Sequence, residues 1–201
     1  MTSEPVATNR SILARLKDET RPEHDAIEQV LDLMDGTLTL AAYRRRLEQF
    51  HGFYQPVEER LQVLGGWGKH GIDLGARSKV LLLEADLRVL GAEAVENLPV
   101  CWELPDLTDV VNGFGCLYVL EGSTLGSQFI SRHVQKILGV TPEGGGRYFH
   151  GYGEQTGEMW REFGAALTAF AVERETQDRI IENAIATFRR LRGWFQRGHV
   201  S

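Results

Sequence analysis

Apolar residues recur at intervals of three and four along nearly the whole chain, while runs of β-branched residues alternating with period two are missing. A chain patterned in this way buries its apolar surface by packing helix on helix, so the expected fold class is all-α. The spacing predicts a helix over 11–34, interrupted near Pro22, and a second over 39–63 opened by Thr39. It predicts a third over 74–90, a long helical segment over 107–138 capped by Asp106 or Thr108, and two final helices over 154–171 and 174–196. Gly65, Gly66, Gly68 and Gly71 mark one loop, Gly144, Gly145 and Gly146 another read as a flexible turn, and Pro99 and Pro105 bracket a connector. Short loops favour antiparallel neighbours. With 201 residues, the expectation is one domain over 11–198 behind a flexible 1–10.

Charge and composition then remove several function classes. Lys plus Arg number 22 against 28 Asp plus Glu, a net of −6, which disfavours a nucleic-acid partner held by phosphate neutralisation. No apolar run approaches the roughly 18 residues needed to cross a bilayer, and MTSEPVATNR carries no export signal, so the expectation is a cytoplasmic protein without a membrane partner. Cys101 and Cys116 lie among apolar neighbours and read as reduced packing residues.

Glycine is the unusual count, 22 of 201 residues, against a typical share of about 7%. Four of them, at 113, 115, 122 and 126, fall inside the segment NGFGCLYVLEGSTLGSQFISRHVQKIL, where each costs roughly 1 kcal/mol relative to alanine. Gly122 and Gly126 share one face, with Ser123 and Ser127 beside them as a second small pair. Phe114 and Tyr118 continue the glycine face at intervals of four. Bare backbone admits either a neighbouring helix or a flat ligand, and spacing does not choose between them.

A second candidate lies on the first helix, where Leu13, Leu16, Thr20, His24, Ile27, Leu31 and Met34 step along one face. Glu28 is one turn beyond His24, close enough in sequence to accept a hydrogen bond from a metal-ligating imidazole. A satisfied core histidine fits the same spacing. Glu48 and His51 form one Glu-x-x-His pair, but a di-iron bundle needs a second, and none is present. His70, His133, His150 and His199 read as solvated, with His133 and Arg132 available to face a partner. Arg189, Arg190, Arg192 and Arg197 read as a solvated basic face or a docking surface for an acidic electron donor.

Taken in order along the chain, LKDETRPEHDAIE, FHGFYQPVEERL, LYVLEGSTLGSQ and YFHGYGEQTGEMWREF resemble the motifs of the haem oxygenase family, especially its bacterial members. The resemblance implies a helical fold holding haem between a proximal helix and a kinked distal helix. It implies an enzyme that uses haem as both cofactor and substrate, with O2 and electrons from a ferredoxin or flavin reductase, and yields biliverdin, CO and ferrous iron. His24 would be the proximal ligand, with Thr20 beside it and Glu28 accepting from its second ring nitrogen. Gly122 and Gly126 would let the distal helix lie close over the iron, and Ser123 would carry the proton route that is an aspartate in animal members.

Lys17, Tyr118 and Arg161 would hold the haem propionates, exposing the α-meso carbon, and Phe188 would line the pocket. Ser127 departs from a glycine pair common in the family, so its hydroxymethyl is expected to narrow the pocket or add a hydrogen bond. Two rivals stand beside this reading: a haem-binding carrier or sensor without turnover, motivated by Ser127, and a non-haem helical enzyme of similar fold. Iron acquisition and chromophore supply to a bilin-binding photoreceptor both fit the implied product.

Overall fold

The computed structural model describes residues 10–92 and 94–198. Residues 1–9, which hold most of the segment expected to be flexible, and His199 lie outside the described residues. The helices are α1 (Ile12–Leu31), α2 (Leu40–Leu64), α3 (Val80–Val89), α4 (Val110–Leu138), the short α5 (Arg147–His150), α6 (Thr156–Phe170) and α7 (Arg174–Gln196). Among the described residues there is no strand, so the all-α expectation stands.

Local chemistry explains most boundaries. Ser11 and Thr39 cap α1 and α2, their hydroxyls accepting from Ala14 N at 3.3 Å and Ala42 N at 3.2 Å. Pro22 lies on the exposed side of α1, and the helix runs through it without a break. Helix α4 is capped by Asp109, which accepts from Asn112 N at 2.9 Å, and not by Asp106 or Thr108. Asp106 instead accepts from the Asn112 side chain at 2.9 Å.

Helix α3 starts six residues later than the period suggested. Asp73 turns the chain by accepting from Gly75 N at 2.9 Å and Ala76 N at 3.2 Å. The start of α3 is then fixed by Glu58 of α2, which accepts from Ser78 Oγ at 2.7 Å and from Lys79 N at 2.6 Å. The glycine triplet is an ordered turn: Gly145 has φ +99° and its carbonyl accepts from the buried Tyr43 hydroxyl at 3.0 Å.

The long helices centre on α7. Arg15 of α1 pairs with Asp178 and His24 meets Phe188, so α1 rises along α7 in the same direction. On α4, Asp109 pairs with Arg179 while Cys116 reaches Thr187, so α4 is also parallel to α7. The preference for antiparallel neighbours fails here because long connections separate these three helices in sequence.

Glycine sets how closely α4 lies on its neighbours. A Cβ on Gly115 would stand 2.4 Å from the Ile180 carbonyl oxygen, and one on Gly113 would stand 2.7 Å from the Trp67 ring. Phe114, between them, is fully buried among Trp67, Phe163 and Phe170, so it belongs to the core and not to a ligand wall. We predict that Gly115→Ala lowers stability by about 1–3 kcal/mol, read as a lower urea midpoint with unchanged slope.

Candidate functional site

Helices α1 and α4 both lie along α7 but barely touch each other. Where they come nearest, the Tyr118 hydroxyl of α4 faces the Thr20 hydroxyl of α1, which itself donates to the Leu16 carbonyl at 2.7 Å. Burial pushes the Tyr118 phenol up, so it stays protonated. Because both helices run the same way along α7, His24 on α1 and Gly122 on α4 each lie one turn beyond that approach.

His24 breaks the buried stripe of α1. Leu16, Thr20 and Ile27 are buried, whereas the His24 side chain is 51% exposed. Its ring meets the buried Phe188 edge-on at 5.9 Å. Nδ1 faces Asp25 Oδ1 at 3.7 Å and Glu28 Oε1 at 3.8 Å, leaving Nε2 on the other side of the ring. Glu28 therefore does not make the expected hydrogen bond: 3.8 Å is beyond hydrogen-bond reach, and Asp25 stands as close. Both carboxylates still favour a proton on Nδ1 and a lone pair on Nε2. Met34, expected on this face, lies beyond the end of α1 and is exposed.

On the facing helix the glycines separate into two kinds. Gly113 and Gly115 are filled by neighbours, as above. A Cβ on Gly122 would come no nearer than 3.9 Å to anything, the nearest atom being on the Trp160 ring, and one on Gly126 would meet nothing within 4 Å. Packing within the chain thus accounts for the first pair and not for the second. Bare backbone of this kind lets a flat ligand approach the helix closely.

Polar groups border this surface. Ser123 Oγ donates to the Leu120 carbonyl at 2.7 Å, which leaves it accepting from the Tyr54 hydroxyl at 3.4 Å. Burial pushes the Tyr54 phenol up to about 12, so it holds its proton at neutral pH. Of the two expectations for Ser127 the structure meets the second: it is buried, faces Gly151 and adds a hydrogen bond, donating to the Thr124 carbonyl at 2.8 Å.

Lys17 and Arg161 are exposed and form no ion pair among the described residues. Arg161 lines a groove of about 590 Å³ between α6 and Leu13 of α1, and Lys17 is one turn from Leu13. Trp160, beside Arg161, stands 5.9 Å from Tyr118.

Other sequence candidates disperse. The basic face is neutralised, Arg189 and Arg192 by Glu23 at 2.7 and 2.9 Å, and Arg190 and Arg197 by Glu103 at 3.3 and 2.6 Å. Glu48 pairs with Arg44 at 3.2 Å, while the buried His51 faces Glu84 at 3.8 Å, so the two do not form a half-site. His133 lies 3.3 Å from the Asp35 carbonyl oxygen. Cys101 and Cys116 are buried and unbridged, as expected.

Sequence reasoning missed the buried phenols Tyr54 and Tyr148 and a charged cluster of Arg77, Lys79, Glu121 and Tyr152 behind Gly122. The cluster had a signal: Glu121 is a lone carboxylate within an apolar helical run, and such a group must be paired when buried.

The family model described as heme oxygenase matches residues 91–197, which span α4 to α7 and leave out α1 with His24. The nitric oxide- and CO-bound haem oxygenase from Neisseria meningitidis is 24% identical, with a TM-score of 0.77 over 95% of each chain. That from Leptospira interrogans is 21% identical, with a TM-score of 0.73 over 94% of this chain and 100% of its own. The Synechocystis haem oxygenase-1 in complex with haem is 15% identical, with a TM-score of 0.76 over 94% and 93%. No curated protein matches the chain in sequence. These structures share the fold described above.

The two kinds of glycine give a direct test. Gly126→Ala is predicted to leave stability unchanged or to raise it by up to about 1 kcal/mol through helix propensity. A marked fall in its urea midpoint would mean that packing, and not a ligand, requires the glycine.

Proposed function

The chain belongs to the haem oxygenase family and is a haem-degrading enzyme, and we propose that it opens haem at the α-meso carbon, giving biliverdin, CO and ferrous iron. Bound haem supplies both the iron at which O2 is reduced and the macrocycle that is cut. The observation that carries the residue assignments is the bare Gly122 and Gly126 backbone of α4, which no part of the chain packs against closely; the haem cleft is read between it and His24 of α1.

His24 would hold the haem iron through Nε2. Asp25 and Glu28 hold the proton on Nδ1, and the edge of Phe188 restrains the ring plane. Gly122 and Gly126, bare of side chains, would admit haem close to the α4 backbone. Ser123 accepts from Tyr54, so a proton can reach the distal surface through one hydroxyl from a buried phenol. Lys17 and Arg161 supply the local cations that an acidic protein needs to hold propionates, and Tyr118 and Thr20 fix the closed end of the cleft. Electrons come from a ferredoxin or flavin reductase, and a bilin-binding photoreceptor is a fitting acceptor for the product. No helix among the described residues is long and apolar enough to cross a membrane.

The carrier reading drew its motive from Ser127, whose hydroxyl is turned into the protein. Turnover of the hemin-loaded protein with ferredoxin and its reductase under air tests the proposal. Wild type is predicted to bleach its Soret band and yield a single biliverdin isomer, the α form by chromatography. His24→Ala is predicted not to turn over, and Lys17→Ala combined with Tyr118→Phe to give mixed isomers. A stable Soret band in wild type under these conditions would favour a carrier.

A further inference from the structure

Besides the 3.4 Å bond between Ser123 and Tyr54 of α2, little holds the bare stretch of α4 in place. Within 121–127 the buried residues are Glu121, Thr124 and Ser127, which form the back of the helix. The Thr124 and Ser127 hydroxyls donate to carbonyls of their own helix, Glu121 O at 2.6 Å and Thr124 O at 2.8 Å, and so tie α4 to nothing else. Such back-bonding competes with the helical ladder. Glu121 is different. Its Oε1 accepts from Lys79 Nζ and from the Tyr152 hydroxyl, both at 2.8 Å, and its Oε2 accepts from an Arg77 guanidinium nitrogen.

The partners come from two separate parts of the chain. Arg77 and Lys79 immediately precede α3, and Tyr152 lies between α5 and α6. Arg77, Lys79 and Glu121 are each at most 4% exposed. Lys79 Nζ also donates to the Arg77 carbonyl at 3.0 Å and stands 4.4 Å from the centre of the Tyr152 ring. Arg77 continues to the Met159 carbonyl of α6 at 3.1 Å. The carboxylate immediately before Gly122 is therefore the point at which α3, α6 and their loops grip α4.

We propose that Glu121 is a positioning residue, whose buried bonds to Arg77, Lys79 and Tyr152 fix the height of the glycine stretch of α4 above the cleft. Its consequence for the reaction rests on the haem oxygenase reading, because a helix held at one height presents one meso carbon and a loosened helix presents several. The anchoring itself does not depend on that reading.

Hydrogen exchange on the apo-protein tests the anchoring. In Glu121→Gln the amides of 121–127 are expected to exchange about tenfold faster, while those of 181–191 in α7 keep their wild-type rates. Tyr152→Phe removes one donor without leaving a buried charge unpaired, and a smaller change confined to the same amides is expected. That variant decides the matter should Glu121→Gln not fold. After loading with hemin, the loosened variants are expected to give mixed biliverdin isomers where wild type gives one. Equal acceleration in α4 and α7, or none in α4, would overturn the proposal, since the cluster would then add only general stability. A single unchanged isomer from a variant with a loosened α4 would overturn it too. Failure of wild type to bind hemin would strike the haem reading alone, because exchange is read without it.

Discussion

Helix α4 lies on α7 almost backbone to backbone, and the rest of the site depends on that approach. The Ile180 carbonyl occupies the space where a side chain on residue 115 would begin. A wider spacing would lift Tyr118 away from Thr20. Because α1 and α4 run parallel along α7, the turn beyond carries His24 on one helix and the bare Gly122 backbone on the other, the two walls of the proposed cleft.

The second constraint is that a helix with an empty face must be gripped from behind. In α4 the grip is ionic. Two cations and one carboxylate are removed from water together, an arrangement that is costly unless every lone pair is used. Both Glu121 oxygens are used here. Removing one member of such a cluster typically costs about 3–5 kcal/mol, because the remaining charges are left buried and unpaired. An apolar side chain in place of Glu121 would still fill space, but it would not bind α4 to the segments before α3 and α6.

Much of this was legible in the sequence and some could not have been. Helical period located the long helices, and the pairing of a histidine stripe with a glycine helix pointed to the two walls of the cleft. The start of α3 was misplaced because its cap, Glu58, belongs to another helix. The arginines near the C-terminus looked free because their partners, Glu23 and Glu103, lie far away in sequence. Glu28 was expected within hydrogen-bond reach from its spacing alone, but side-chain direction sets it at 3.8 Å, level with Asp25. The glycines are the clearest case: spacing could not tell packing from access, and only the neighbours of each missing Cβ separate Gly115 from Gly126.

The central claim is that residues 122 and 126 are glycine so that a flat, iron-bearing ligand can lie between α4 and His24. The most direct measurement is a hemin titration followed in the Soret region, comparing wild type with Gly126→Leu after both are shown to unfold at similar urea concentrations. The account predicts stoichiometric binding by wild type and affinity at least about tenfold weaker in the leucine variant, whose side chain enters space the ligand needs. Equal, tight binding by both proteins would contradict it.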